Sequence, residues 1–127
     1  MILTTAAATC LALNVYFEAR GQDIDGQRLV AEVTMNRVAM PGFPDTVCDV
    51  VWQDGAFSWT KDGRSDQPKE VGAWLLAQIV ANEVLIYGCT FCTGATHYHT
   101  VDVDPYWAPK MRVVGQWGDH IFYVEKR

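Results

Sequence analysis

"TTAAATCLALNVYFEARG", residues 4–21, carries no charged side chain until Glu18. Leu3, Ala6, Cys10, Leu13 and Phe17 recur at spacings of three and four, which is one face of an α-helix, and Thr4 or Thr5 stands where an N-cap belongs. A secretory leader would need a basic start and a small-residue cleavage site, and the run has neither. Thr4, Thr5, Thr9 and Asn14 interrupt it short of the ~18 continuous apolar residues of a membrane span. The stretch therefore reads as a helix anchored in a core, with Glu18 one residue past the apolar stripe, on its flank. A carboxyl group emerging there beside Tyr16 and Phe17 is partly desolvated. Its pKa rises and its proton is available for donation near neutral pH. The plainer reading is a solvated Glu18 paired with Arg20.

Outward from this helix, a second is expected after Gly26, with Leu29, Val33 and Met40 on one face, ending at Pro41 and Gly42. Asn36 shares that face, and a buried amide there is expected first to tie two elements together. Residues 71–87, "VGAWLLAQIVANEVLIY", are apolar nearly all round the helical wheel, which predicts a helix buried on most sides. Before it, "GAFSWTKDGRSDQPKE" (55–70) is polar and rich in turn formers. After it come two β-type runs, "ATHYHTV" (95–101) and "RVVGQWGDHIFYVE" (112–125), the second broken at Trp117 and Gly118 as a hairpin. Helices followed by a small antiparallel sheet make an α+β fold, and 127 residues make one domain spanning 1–127.

Half the residues are hydrophobic and the aromatics include five Trp, enough apolar area for a core without a metal or disulfide staple. The net charge of −5, with basic residues scattered, excludes an electrostatic grip on nucleic acid or anionic lipid. No cofactor is implied, and a monomer is expected. Of the four cysteines, Cys10 falls in the apolar stripe and reads as a small buried hydrophobe, while the connectivity of any bridges stays open.

Two further motifs bear on chemistry. In "THYH", Thr96 to His99, a strand would put His97 and His99 on one face and Thr96 and Tyr98 on the other. Paired imidazoles serve a metal or a polar cleft. With Cys89 and Cys92 upstream, the pattern C-x2-C-x4-H-x-H keeps a zinc peptidase or amidase as an alternative, although the spacing is shorter than usual zinc patterns. The second motif is aromatic. Trp52 and Trp74 read as core, whereas Trp59 in "FSWTKDG" and Trp107 in "DPYWAP" sit among polar residues, where flat rings suit the apolar faces of sugars. A glycan-binding module without catalysis would use the same rings.

Four segments in order, "YFEARGQDIDGQRLVAEVTMNRV", "GFPDTVCDVVWQDGAFSWTKDG", "ATHYHTVDVDPYW" and "GQWGDHIFY", closely resemble the SleB/CwlJ-type cell-wall hydrolases, over about Leu11 to Tyr123. The resemblance implies a lysozyme-like α+β domain that cleaves peptidoglycan glycan strands, with Glu18 as the single catalytic glutamate. It further implies Ser58, Trp59, His97, Tyr98, His99 and His120 as groove residues, beside Trp107 from the aromatic pattern. A single glutamate suits a lytic transglycosylase cutting between N-acetylmuramic acid and N-acetylglucosamine, because glycoside hydrolysis ordinarily uses two carboxylates. If a second acid serves, Asp23, Asp25, Glu32, Asp102 and Asp104 are the residues to test. Spore members of the family carry a signal and a separate peptidoglycan-binding domain. A leaderless chain of this size is expected instead to be a phage or prophage endolysin, made in the cytoplasm and reaching the wall through a holin or a virion. The segment "CTFC" departs from the family pattern.

Overall fold

The structure, a computed structural model, describes residues 3–126. Helix α1 (Ala6–Ala19) begins where the Thr5 hydroxyl accepts the Ala8 N–H, and it closes where the Arg20 N–H returns to the Tyr16 carbonyl. Gly21 then adopts φ +89°, a left-handed conformation that side-chain-bearing residues resist, so the chain can reverse. Two residues later the Asp23 carboxylate accepts the Gly26 N–H and starts α2 (Ile24–Val38). This second helix begins before Gly26 and ends before Met40. Thr46 caps a short helix, α3 (Val47–Val51), too brief for its periodicity to show in the sequence. A 3-10 turn at Ser58–Lys61 follows, then α4 (Val71–Tyr87), whose bounds are those expected.

The sheet is antiparallel and has three strands, in the order β1 (His97–Thr100), β3 (His120–Glu125), β2 (Met111–Trp117). The β2–β3 turn falls on Gly118 and Asp119, one residue later than expected. It docks on the α1–α2 turn through a reciprocal pair. Gln22 Nε2 donates to Asp119 Oδ2 at 3.0 Å, and the Asp119 N–H donates to Gln22 Oε1 at 3.1 Å. Any side chain at Gly118 would collide with Gln22.

The core has two parts. In one, Leu11, Val15 and Tyr16 of α1 meet Val80 and Val84 of α4, Val51 of α3, and Trp59. In the other, Leu29, Val30 and Val33 of α2 meet Phe122 of the sheet. Tyr98 of β1 packs against both, at their seam. The α+β class stands as expected, with three corrections inside it. On α1 the buried residues are Ala8, Leu11, Ala12, Asn14, Val15, Tyr16 and Ala19, and the expected stripe lies at their edge, because α4, α2 and α3 approach from three directions. Cys10 is joined in a disulfide to Cys48 of α3. Helix α4 is not buried on most sides: Val71, Leu75, Ile79, Ile86 and Tyr87 are exposed, since α1 and α2 cover one face only.

Candidate active site

The C-terminal ends of α1 and α2 converge on β1. Glu18 is the penultimate residue of α1, and Tyr98 Oη donates to its Oε1 at 2.6 Å. Oε2 makes no hydrogen bond among the described residues and is not sealed from solvent. Arg20, the partner of the plainer reading, instead pairs with Glu70 at 3.4 Å and lies over the Tyr16 ring. Glu18 is thus freed from it. Burial raises the Glu18 pKa above the ordinary carboxylate value, opposed by the Tyr98 hydrogen bond and then by the Arg37 charge. A position at a helix C-terminus disfavours the anion further. Tyr98 is pushed well above a normal phenol by burial and then by the Glu18 charge, so it stays a neutral donor.

Arg37, penultimate on α2, is buried, and its Nε donates to the Thr96 carbonyl at 2.7 Å. Its guanidinium lies 5.2 Å from the centres of both the Phe43 and Phe57 rings. It lines a cleft of about 420 Å³, together with Phe43, the segment Gln53–Ala56, His97, Tyr98, Tyr106 and Trp107. Glu18 is not itself on the cleft wall but meets it through Tyr98. His97, whose Nδ1 lies 3.0 Å from Thr96 Oγ1, is pulled down to about 4 by burial and then by the Arg37 charge, so it is neutral at pH 7. Its ring sits 5.0 Å from Trp107.

Of the residues expected in a groove, His97, Tyr98 and Trp107 line this cleft and four do not. Trp59 is a correction. It is 5% exposed, its indole N–H donates to the buried Asn14 Oδ1 at 2.8 Å, and it stacks on Phe17 at 4.8 Å, so it packs in the core. Its polar neighbours in sequence concealed this, while Trp52, read as core, is the exposed ring at its edge. Ser58 is exposed at the start of the 3-10 turn, outside the cleft. His99 is bound through Nε2 to Tyr123 Oη at 2.6 Å and through Nδ1 to the Thr100 carbonyl at 2.7 Å, and its ring meets that of Trp107 edge-on at 5.7 Å. His120 is buried against Tyr98, with Nδ1 lacking a partner among the described residues, and burial lowers its pKa. The residues missed were Arg37, Phe43 and the Gln53–Ala56 wall. Arg37 was detectable as a cation one position beyond Asn36 near the end of an apolar helix. Asn36 itself ties α2 to the Ala95 carbonyl, as expected of a structural amide.

The acids named from sequence have other employment. Asp23 caps α2, Asp25 pairs with Arg28 at 3.6 Å, and Asp102 accepts from the Thr100 hydroxyl. Asp104 is exposed and, like these, absent from the cleft wall. Glu32 is buried and accepts the N–H groups of Thr90, Phe91 and Cys92, closing the loop after α4. The carboxylate on the cleft wall is Asp54, exposed and held below its ordinary pKa by Lys61 at 2.8 Å. Cys89 and Cys92 are bonded to each other, which removes the two thiolates from the zinc pattern.

Comparison with known proteins agrees with this architecture. The catalytic domain of the germination-specific lytic transglycosylase SleB from Bacillus anthracis superposes with a TM-score of 0.76 at 28% identity, over 96% of this chain and 97% of that one. The catalytic domain of the Bacillus cereus SleB protein does so at 0.72 and 27%, over 94% and 91%. The spore cortex-lytic enzyme of Oceanobacillus iheyensis is 34% identical over 116 residues, 88% of this chain, and that of Bacillus subtilis 43% over 54 residues, 42% of this chain. The chain spans 39% and 18% of those two proteins' lengths. The Cell Wall Hydrolase family model matches residues 21–123, beginning three positions after Glu18. The chain belongs to the Cell Wall Hydrolase family.

Proposed function

We propose that this chain is a peptidoglycan lytic transglycosylase domain, with Glu18 acting first as acid and then as base. The observation that carries the reading is the carboxyl group itself: half-buried, raised in pKa, and held by Tyr98 at the edge of an aromatic cleft. Tyr98 occupies Oε1, which leaves Oε2 to hand its proton to the glycosidic oxygen between N-acetylmuramic acid and N-acetylglucosamine as that bond breaks. The carboxylate so formed is stabilised by the Tyr98 hydrogen bond and the Arg37 charge. It then takes the proton of the muramyl C6 hydroxyl as O6 closes on C1, giving a 1,6-anhydro end and restoring neutral Glu18. No water is consumed. The C6 hydroxyl is tethered to the same ring, and its high effective concentration favours it over solvent. His97 and Trp107 are the groove residues this reading retains, and the bacterial cell wall is where the chain acts. The likeness to lytic transglycosylase catalytic domains supports this over a zinc amidase or a silent binding module.

Mass spectrometry of digested peptidoglycan tests the reading. The products should be lighter by one water than hydrolysis fragments, without new reducing muramic ends. Reducing ends labelled from ¹⁸O water would overturn it and make Asp54, the carboxylate on the cleft wall, the residue to examine as a water-activating base. Binding to walls without release of any soluble fragment would overturn catalysis altogether.

A further inference from the structure

An arginine withdrawn from water has five N–H donors to satisfy, and leaving them unpaired in the interior is costly. Arg37 is 8% exposed, yet its one hydrogen bond among the described residues is from Nε to the Thr96 carbonyl. The terminal nitrogens donate to nothing described, and Arg37 forms no ion pair with Glu18, whose Oε1 is already taken by Tyr98. Nor are those nitrogens sealed in the core, where, among the described residues, His120 Nδ1 is the buried side-chain polar atom without a partner. They belong to a residue that lines the cleft. The guanidinium plane is also fixed in advance, by the Thr96 carbonyl on one edge and by the Phe43 and Phe57 rings. A planar, immobilised fork with unused donors matches a planar oxygen acceptor, which a flexible ammonium would meet only as a point charge.

We propose that Arg37 is a substrate-binding residue whose terminal guanidinium nitrogens hold an acyl oxygen, carbonyl or carboxylate, on a sugar substituent beside the bond Glu18 acts on. This rests on the glycan-cleaving reading of the cleft. A muramic-acid glycan presents such oxygens in two places, the N-acetyl group of each sugar and the lactyl group of the muramic residue. Both have the same acceptor chemistry. His97 and Trp107 on the same cleft wall supply apolar ring faces for the sugar carrying the group, and neutral His97 adds no charge that competes for the acceptor.

The test measures binding in Glu18→Gln protein, so that no probe is cleaved. Three probes are titrated calorimetrically: an N-acetylglucosamine–N-acetylmuramic acid tetrasaccharide, its N-deacetylated form, and a chitin tetrasaccharide, which has no lactyl group. Adding Arg37→Met should weaken binding of the first by roughly ten- to a hundredfold, as loss of a hydrogen bond from a charged donor does. The loss should vanish on whichever probe lacks the group that Arg37 holds, which assigns the oxygen to N-acetyl or lactyl. An unchanged Kd for the first probe, or the same factor lost on all three, overturns the proposal. Should Arg37→Met fail to fold, the protein with Arg37 intact decides: equal affinity for all three probes, or for none, overturns it equally. Lysis by the unmodified chain is followed separately. Tetrasaccharide binding with no fragment released would refute the transglycosylase reading and not the Arg37 contact.

Discussion

Replacing Tyr98 by Phe deletes one oxygen and, with it, the 2.6 Å bond to Glu18 Oε1. A hydrogen bond to a charged group contributes about 1.5–3 kcal/mol and one to a neutral group about 0.5–1.5, so the bond favours the Glu18 anion by roughly 1–1.5 kcal/mol. That difference is about one pKa unit. The sign follows from the bond's direction: Tyr98 lowers a pKa that burial has raised, so Tyr98→Phe raises it further. Because the proposed reaction starts from protonated Glu18, the alkaline limb of the kcat/KM profile should move about one unit to higher pH. The plateau should fall, since Oε2 is no longer aimed and the carboxylate formed on proton donation loses its donor. The Phe ring keeps the packing on His120 at 5.2 Å and Phe122 at 5.4 Å and stays at the seam of both core clusters, so the thermal midpoint should hold within a few degrees. Lysis of purified peptidoglycan followed by turbidity from pH 4 to 9, with calorimetry of the same samples, measures both. An alkaline limb that stays put or moves to lower pH would refute the assignment of Glu18 as the acid tuned by Tyr98.

Glu18→Gln should reduce lysis by ~10²- to 10⁴-fold. Its thermal midpoint at pH 7 should equal or exceed that of the parent, because a carboxyl whose folded pKa is raised stabilises the fold below its ordinary pKa and loses that contribution as pH rises through the raised value. A fall in midpoint would mean that Glu18 is structural. Trp59→Ala should cost about 3–5 kcal/mol of stability, as buried Trp losses do, whereas Trp107→Ala should lower glycan affinity with a small change in midpoint. Denaturant melts set against pull-down on peptidoglycan separate the two, and the reverse pattern would exchange their roles. Removing the Cys10–Cys48 bridge as Cys10→Ser/Cys48→Ser opens a loop spanning 38 residues, a loss of about 4 kcal/mol on the chain-entropy scale. Reductant should then lower the variant's midpoint less than the parent's, since the variant keeps only the short Cys89–Cys92 bridge.

Much of this protein lies in short-range pattern. Helix α4 shows its limits because seventeen nearly apolar residues run from the polar loop ending at Glu70 to Gly88, and β2–β3 shows itself as a β-type run broken around Trp117 and Gly118. Glu18 stood out as the first charge after a helix, and His97, Tyr98 and Trp107 by residue type and strand or loop context. These features are properties of residues close together in the chain. What tertiary structure decided was which faces and rings are covered, and by what. Trp59 and Trp107 have equally polar neighbours in sequence, but Asn14, forty-five positions away, holds one in the core, and the other lines the cleft. Cys10 looked apolar until α3 brought Cys48 against it. Arg37 became part of a site through Thr96, fifty-nine residues on, and through two phenylalanines from separate loops. Periodicity sets how a segment orders its own side chains, whereas burial and hydrogen-bond partnership depend on distant segments that no local pattern encodes.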